Sequence, residues 1–337
     1  MIRILHDTKI DFIRWWRWAA GLTIAFIVIG FGALAIRGGF TLSVEFTSGT
    51  LMQLHFNQAP DPAKVRSALD AGGIKDAEIA TFGTPNDFTV RTRAVESAGA
   101  DSSSRAITSL LTTAFGASNF RVVRTEIVGA RVGPELARGA IIAILVSFGV
   151  TLAYLAFRFD WRFGVAATIA TMHDILTTIA FMKILHLEIS LTVVAALLTV
   201  IGYSLNDTII IFDRVRENLR KNRREPLYDT LNRSVNETLP RSVLTHVTAL
   251  AATLALLFFA GEVIRPFAWV MAFGIFTGTF SSIYVASPIL LWIETKYPRM
   301  TDGRPSRAAK AAAAPAAPAA PAPAAASAVA KRAKAKR

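Results

Sequence analysis

The sequence predicts a polytopic α-helical membrane protein with six transmembrane helices and a ferredoxin-like α+β domain inserted between the first two. Three observations predict it. Apolar residues make up 53% of the 337 and charged residues only 18%, the balance of a chain with long lipid-facing segments. Six stretches stay apolar over roughly the 20 residues that a hydrocarbon core demands. Between the first two, segment 38–136 holds nine basic and ten acidic residues and alternates like a folded, water-facing domain.

The first span is 18–37. Its apolar run is 19 residues long and begins only after 17 residues that include Arg14 and Arg17. It therefore reads as a retained span and not a signal peptide. Within 38–136, the alternation at 42–56 predicts a strand, and 61–71 a helix opened by Asp61 and Pro62. Strands at 77–83 and 87–93 follow, joined by a turn at Thr84-Pro85-Asn86. A helix at 102–115 starts from serines that can cap its free N–H groups, and a strand at 119–128 closes the domain. Strand-helix-strand-strand-helix-strand is the split βαβ order.

The remaining spans are 137–158, 163–185, 189–212, 241–261 and 267–293. A basic loop, 213–240, separates the fourth from the fifth. Lys and Arg crowd the N-terminus, the 158–162 link, this loop and the tail, whereas the opposite short loops hold only Lys183 and Arg265. Short basic flanks stay in the cytosol, so both termini are placed there and the 38–136 domain outside. Residues 294–337 form an Ala/Pro-rich tail that should be disordered, because frequent proline prevents a continuous helix. Residues 295–337 supply +9 of the net +13. Basic residues beside a membrane meet anionic lipid headgroups, which explains the charge without nucleic acid.

The absence of cysteine excludes disulfides, thiolate metal sites and cysteine nucleophiles. No phosphate-binding loop, metalloprotease motif or serine elbow is present, so no cofactor, metal or bond-making catalysis is expected.

Ionisable groups inside hydrocarbon are costly and mark pathways or relays. His173 and Asp174 lie mid-way along the third span, Asp207 lies in the fourth after Asn206, and Arg241 opens the fifth. If the third and fourth spans form a hairpin near Leu187, Asp174 is level with Val200. Asp207 is then about 10 Å further along at 1.5 Å per residue, so water or hydroxyls would have to bridge the two acids. Arg241, Thr245 and Thr248 share a helical face that would turn toward the fourth span. Two readings stand: a proton relay in which a moving Arg switches a buried acid, or a structural Asp–Arg pair that fixes helix register. In the sixth span Gly274, Gly278 and Ser282 form a small-xxx-small packing stripe.

Residues 195–218, AALLTVIGYSLNDTIIIFDRVREN, together with MHD at 172–174, TLPRSVLTHVTAL at 238–250 and TGTFSSIYVASPILL at 277–291, resemble the SecF family of protein-export membrane subunits. The resemblance spans roughly residues 12–294. It implies an RND-type half-transporter of the bacterial inner membrane that pairs with SecD. It further implies association with the SecYEG channel and YajC, and use of the proton-motive force to assist late export of preproteins. It assigns proton conduction to the acid and arginine that stand here as Asp207 and Arg241. A family D-F-T-G-G stretch reads Glu45-Phe46-Thr47-Ser48-Gly49 here, a departure at two positions. Half of a small-molecule proton antiporter and a passive scaffold subunit are the competing functions.

Overall fold

The computed structural model describes residues 8–36, 38–74, 77–93, 102–222, 224–261, 263–297, 300–301 and 304–305. Most of the basic tail, and the lipid contact expected of it, lies outside the described residues. Among the described residues six helices are long and apolar enough to cross a membrane: Ile13–Ile36, Val132–Arg158, Trp161–Ile184, Leu191–Lys221, Leu227–Phe259 and Arg265–Lys296. The first begins with a 3-10 turn and continues as α1 (Trp16–Ile36). The next four are α5, α6, α7 and α8 in that order. The sixth is α9 (Arg265–Ser281), a π turn (Ser282–Ala286) and α10 (Ser287–Lys296).

Helix α7 is the hub, packed against α5, α6, α8 and α9. Lipid-facing helices can be told from core helices by what they expose. Helix α5 presents Ile141, Leu145, Val146, Val150 and Phe157 outward, which in hydrocarbon costs nothing. Helices α6, α7 and α9 bury Ala, Ser, Thr and Gly against one another instead.

Segment 213–240, expected as a loop, is mostly helical. Helix α7 runs on to Lys221 and α8 begins at Leu227. At 1.5 Å per residue the 31 residues of α7 span about 46 Å, well beyond a hydrocarbon core of about 30 Å. The apolar run marks the lipid-embedded part of a helix and not its end. Beyond it, Glu217 pairs with Arg214 (2.7 Å) and Lys221 (2.6 Å), and Arg214 reaches across to Glu237 on α8 (2.5 Å). These pairs support a water-exposed helical hairpin.

The inserted domain comprises α2 (Val44–Thr47), β1 (Gly49–Phe56), α3 (Pro62–Ala71), β2 (Glu78–Phe82), β3 (Thr84–Thr92), α4 (Ser102–Phe115) and β4 (Phe120–Val128). Its sheet has the order β2-β3-β1-β4 and is antiparallel throughout. Met52, Leu54 and Phe56 of β1 meet Val65, Leu69, Ile107 and Leu111 of the two helices in one core.

Two sequence expectations shift here. Residues 44–47, read as strand, form a helical turn that ends at Ser48 (φ 61°) and Gly49 (φ 136°). That backbone favours glycine, so the strand starts only at Gly49. The β2–β3 turn lies at Gly83 (φ 75°) and not at Thr84-Pro85-Asn86, which opens β3. A proline is tolerated at the first positions of a strand.

The domain is tied to the loop between α6 and α7. Ser43 N–H donates to the Ile189 carbonyl and Ile189 N–H to the Thr41 carbonyl, both at 2.9 Å. Arg91 donates to Glu188 (2.7 Å) and to the Leu42 carbonyl (3.0 Å). Glu45 accepts from the first α7 N–H, that of Leu191, at 2.6 Å. A carboxylate there meets free N–H groups and the positive end of the helix dipole.

Candidate functional site

Two buried carboxylates sit in the bundle around α7. Asp174, on α6, is 1% exposed. Its Oδ2 accepts from the hydroxyls of Ser204 on α7 and Ser281 on α9, the latter at 2.7 Å, and its Oδ1 meets His173 Nδ1 at 3.0 Å. Ser282, next along, shares a 2.7 Å hydrogen bond with Thr208 on α7. Thr208 is the neighbour of Asp207.

Asp207 is 3% exposed. Its Oδ1 accepts from Ser242 of α8 at 2.5 Å, and its Oδ2 is buried with no partner among the described residues. A buried carboxylate oxygen left without a donor is costly. Ser204 and Ser281 bond Asp174, Ser242 bonds Asp207, and the Thr208–Ser282 pair bonds neither carboxyl group, so no continuous hydroxyl chain joins the two acids among the described residues.

The small-residue stripe makes this arrangement possible. A Cβ added at Gly278 would lie 2.9 Å from Ser204 Cβ, and one at Gly274 would overlap Val200. Helix α9 therefore approaches α7 closely enough for Ser281 and Ser282 to bond across. Immediately after them the helix widens into its π turn, where the Ser287 hydroxyl donates to the Ser282 carbonyl at 3.0 Å. Pro288 lacks the N–H that a regular turn would use. Such bulges are rare and concentrate at functional positions.

The fifth span differs from expectation. Arg241, Thr245 and Thr248 are exposed, and no carboxylate pairs with Arg241 among the described residues. The face of α8 turned to the bundle carries Ser242, His246 and Thr253, one residue along. A rotation of 100° per residue separates the two stripes, and a sequence does not fix which one packs inward. Asn206 likewise faces outward, whereas Asp207 faces in.

His246 was not singled out in the sequence, although an ionisable residue in an apolar helix, one turn beyond Ser242, was the available signal. It is 9% exposed. Its Nδ1 donates to the Ser242 carbonyl at 2.5 Å, and its Nε2 is buried without a partner among the described residues. The Tyr203 ring, one turn from Asp207, stands edge-on to the imidazole at 5.3 Å, and its hydroxyl donates to the Thr245 carbonyl.

The outward faces of α7 and α8 carry small and polar residues, beside exposed apolar ones on α8 such as Leu244 and Val247. Helix α7 exposes Ala195, Thr199, Gly202 and Asn206, and α8 exposes Arg241, Thr245, Thr248 and Ala252. Both run i, i+4, i+7, i+11, each a continuous small or polar stripe. Among the described residues no cluster of His, Asp and Glu could hold a metal.

A protein-family model described as protein export membrane protein SecD/SecF, C-terminal, matches residues 107–296. A protein of Gemmatimonas aurantiaca named protein translocase subunit SecF is 60% identical over 314 residues, covering 91% of this chain and 94% of the relative. One of the same name from Thermodesulfovibrio yellowstonii is 39% identical over 295 residues, covering 86% and 97%. Among solved structures, SecDF of Thermus thermophilus, titled a translocon-associated membrane protein, matches with a TM-score of 0.76 at 36% identity over 87% of this chain. A SecDF structure in a form titled Super-membrane-facing matches with a TM-score of 0.63 at 35% identity over 88%. This chain spans 40% of the length of each of those solved chains.

Proposed function

The chain belongs to the SecD/SecF protein-export family, and from that premise we propose that it uses protons crossing the membrane to assist late steps of preprotein translocation. It does so as the SecF-type half of an RND-type unit whose other half is a SecD-type subunit. The proposal places it in the bacterial inner membrane with both termini in the cytosol and the α2–β4 domain, ferredoxin-like in class, in the periplasm. SecYEG, YajC and the translocating preprotein are its further partners, and its role is mechanical, with no bond made or broken in the cargo.

The observation that carries the reading is Asp207. Its carboxyl group is held in the bundle by one hydroxyl, with its other oxygen unpartnered among the described residues, which supports a role in gaining and losing a proton. Asp174, with His173, adds a second buried acid on the neighbouring helix α6, held by the hydroxyls of Ser204 and Ser281. One proton falling through 100 mV releases about 2.3 kcal/mol, enough to bias a helix bundle between two packings.

The stripe bearing Asn206 and Arg241 supports the partner half of the proposal. Small and polar side chains facing outward at membrane depth favour a second helical subunit over lipid. Arg241, unpaired in this chain's described residues, would then be paired from the partner's side. Arg241 on that outward stripe and Asp207 on the inward face of α7 would then act from opposite sides of the α7–α8 pair.

The test is Asp207→Asn in the assembled export complex, reconstituted in vesicles with and without a proton gradient. The proposal expects loss of the gradient-dependent component of export with complex assembly intact. Full gradient-dependent export by the folded variant would overturn it.

A further inference from the structure

We propose that His246 is a second proton-accepting residue of this site, exchanging a proton with Asp207 on the α7–α8 seam. The inference rests on the proton-driven reading above and assigns a residue to it.

Both side chains are organised by Ser242. Its hydroxyl donates to Asp207 Oδ1 and its carbonyl receives His246 Nδ1–H, each at 2.5 Å. The second contact fixes the tautomer. A carbonyl only accepts, so Nδ1 carries the hydrogen and Nε2 is left with a bare lone pair. That lone pair is buried and has no partner among the described residues, and Asp207 Oδ2 is in the same condition on the facing helix. A histidine kept for packing alone has both ring nitrogens bonded or one in water. Here a vacant acceptor and a carboxyl oxygen without a donor share one seam.

The step is simple in atoms. Asp207 Oδ2 and His246 Nε2 are not bonded to each other here, so a turn of the side chains brings them together before the O–H bond of a protonated Asp207 breaks and an N–H bond forms at His246 Nε2. A carboxylate and an imidazolium replace two neutral groups, and no electron changes hands.

The surroundings favour a controlled exchange. From α7, Tyr203 stands edge-on to the imidazole, and Asp207 bonds the Ser242 hydroxyl one helical turn from His246. Helix α9, which also packs on α8, carries no titratable side chain between Pro266 and Ser281. Glu294 and Lys296 of α10 lie at the opposite, Leu227 end of α8, and Arg241 on the same helix is exposed. Asp207 is thus the carboxylate on the elements that face His246.

The experiment uses the full chain in its complex with the partner subunit, in vesicles. His246→Gln keeps a hydrogen-bonding side chain and cannot titrate. The expected result is a displacement of the pH midpoint of gradient-dependent export by about one unit, the effect of removing a neighbouring ionisable group. An unchanged pH profile overturns the inference. If the glutamine variant does not assemble, nitrogen-15 histidine resonances are followed in chains that retain His246, with Asp207 and with Asp207→Asn. The expected result is an Nε2 resonance whose pH response is changed by Asp207→Asn. A response indifferent to residue 207 overturns the inference. The outcomes separate the two claims, because loss of gradient dependence in Asp207→Asn with an unmoved His246 defeats only the histidine assignment.

Discussion

Ser242, and not the adjacent Arg241, is the α8 residue that meets Asp207, its hydroxyl donating to Oδ1 at 2.5 Å. Among the described residues no fixed charge pairs with the buried acid. A hydroxyl serves a carboxyl group in either protonation state, since it can donate to the carboxylate or accept from the acid. An arginine at the same place would hold the proton off permanently.

Ser242→Ala tests that arrangement. Removing the one donor to this buried carboxyl group among the described residues should destabilise the chain by about 1–3 kcal/mol and shift the pH profile of gradient-dependent export. Thermal unfolding in detergent reads the first effect and vesicle export the second. Ser242→Thr should restore both, because the hydroxyl is retained.

The glycine stripe sets how closely α9 approaches α7. Gly278→Ala places a methyl group 2.9 Å from Ser204 Cβ. The expected cost is about 1–3 kcal/mol from overpacking, together with loss of the Ser204 and Ser281 hydrogen bonds to Asp174. Gly202→Ala, where an added Cβ meets nothing within 4 Å, should leave the isolated chain's melting unchanged. Its effect should surface only as weaker association with a partner helix, measured by co-purification in mild detergent.

Glu45 and Arg91 connect the inserted domain to the start of the helix that carries Asp207. Glu45→Ala should free the first turn of α7, at a cost of about 0.5–2 kcal/mol, the range for losing a helix cap. Glu45→Gln should recover most of the hydrogen bond without the charge. Arg91→Ala removes a partly exposed ion pair worth no more than about 1 kcal/mol. Amide exchange in segment 186–192 should speed up in Glu45→Ala and, less so, in Arg91→Ala. Equal exchange in all variants would show that the domain is held elsewhere.

Asp87 gives the inserted domain a pH dependence of known sign. The Thr84 hydroxyl (2.5 Å) and His55 (2.6 Å) hold its carboxyl below the usual carboxylate value. A depressed folded-state pKa contributes stability that is full above the ordinary carboxylate range and is lost as pH falls through the lowered value. Acidifying the full chain should therefore speed amide exchange in β1 and β3. Asp87→Asn should remove that acid-dependent part and leave the neutral-pH pattern of α5–α10 as it was.

Much of this protein was legible because the bilayer simplifies the problem. Six apolar runs, the split βαβ order and the buried positions of Asp174 and Asp207 followed from period and length alone. The ends of α7 and α8 did not, because hydropathy reports where lipid stops and salt bridges carry a helix further. Residues 44–48 read as strand because alternation over a few residues does not distinguish a strand from a turn that terminates at positive φ.

By itself, the sequence determined which residues are costly in a membrane, since transfer energy depends on side-chain type and depth and not on neighbours. It therefore placed Asp174, Asp207 and the Gly274–Gly278 stripe in the bundle. Which face of α8 turns inward depends on how helices pack, and one step of 100° exchanges Arg241 for Ser242 and brings His246 into the seam. Only the tertiary structure could decide that, because the rotation of a helix about its axis is set by the surfaces it meets and is written in no single helix.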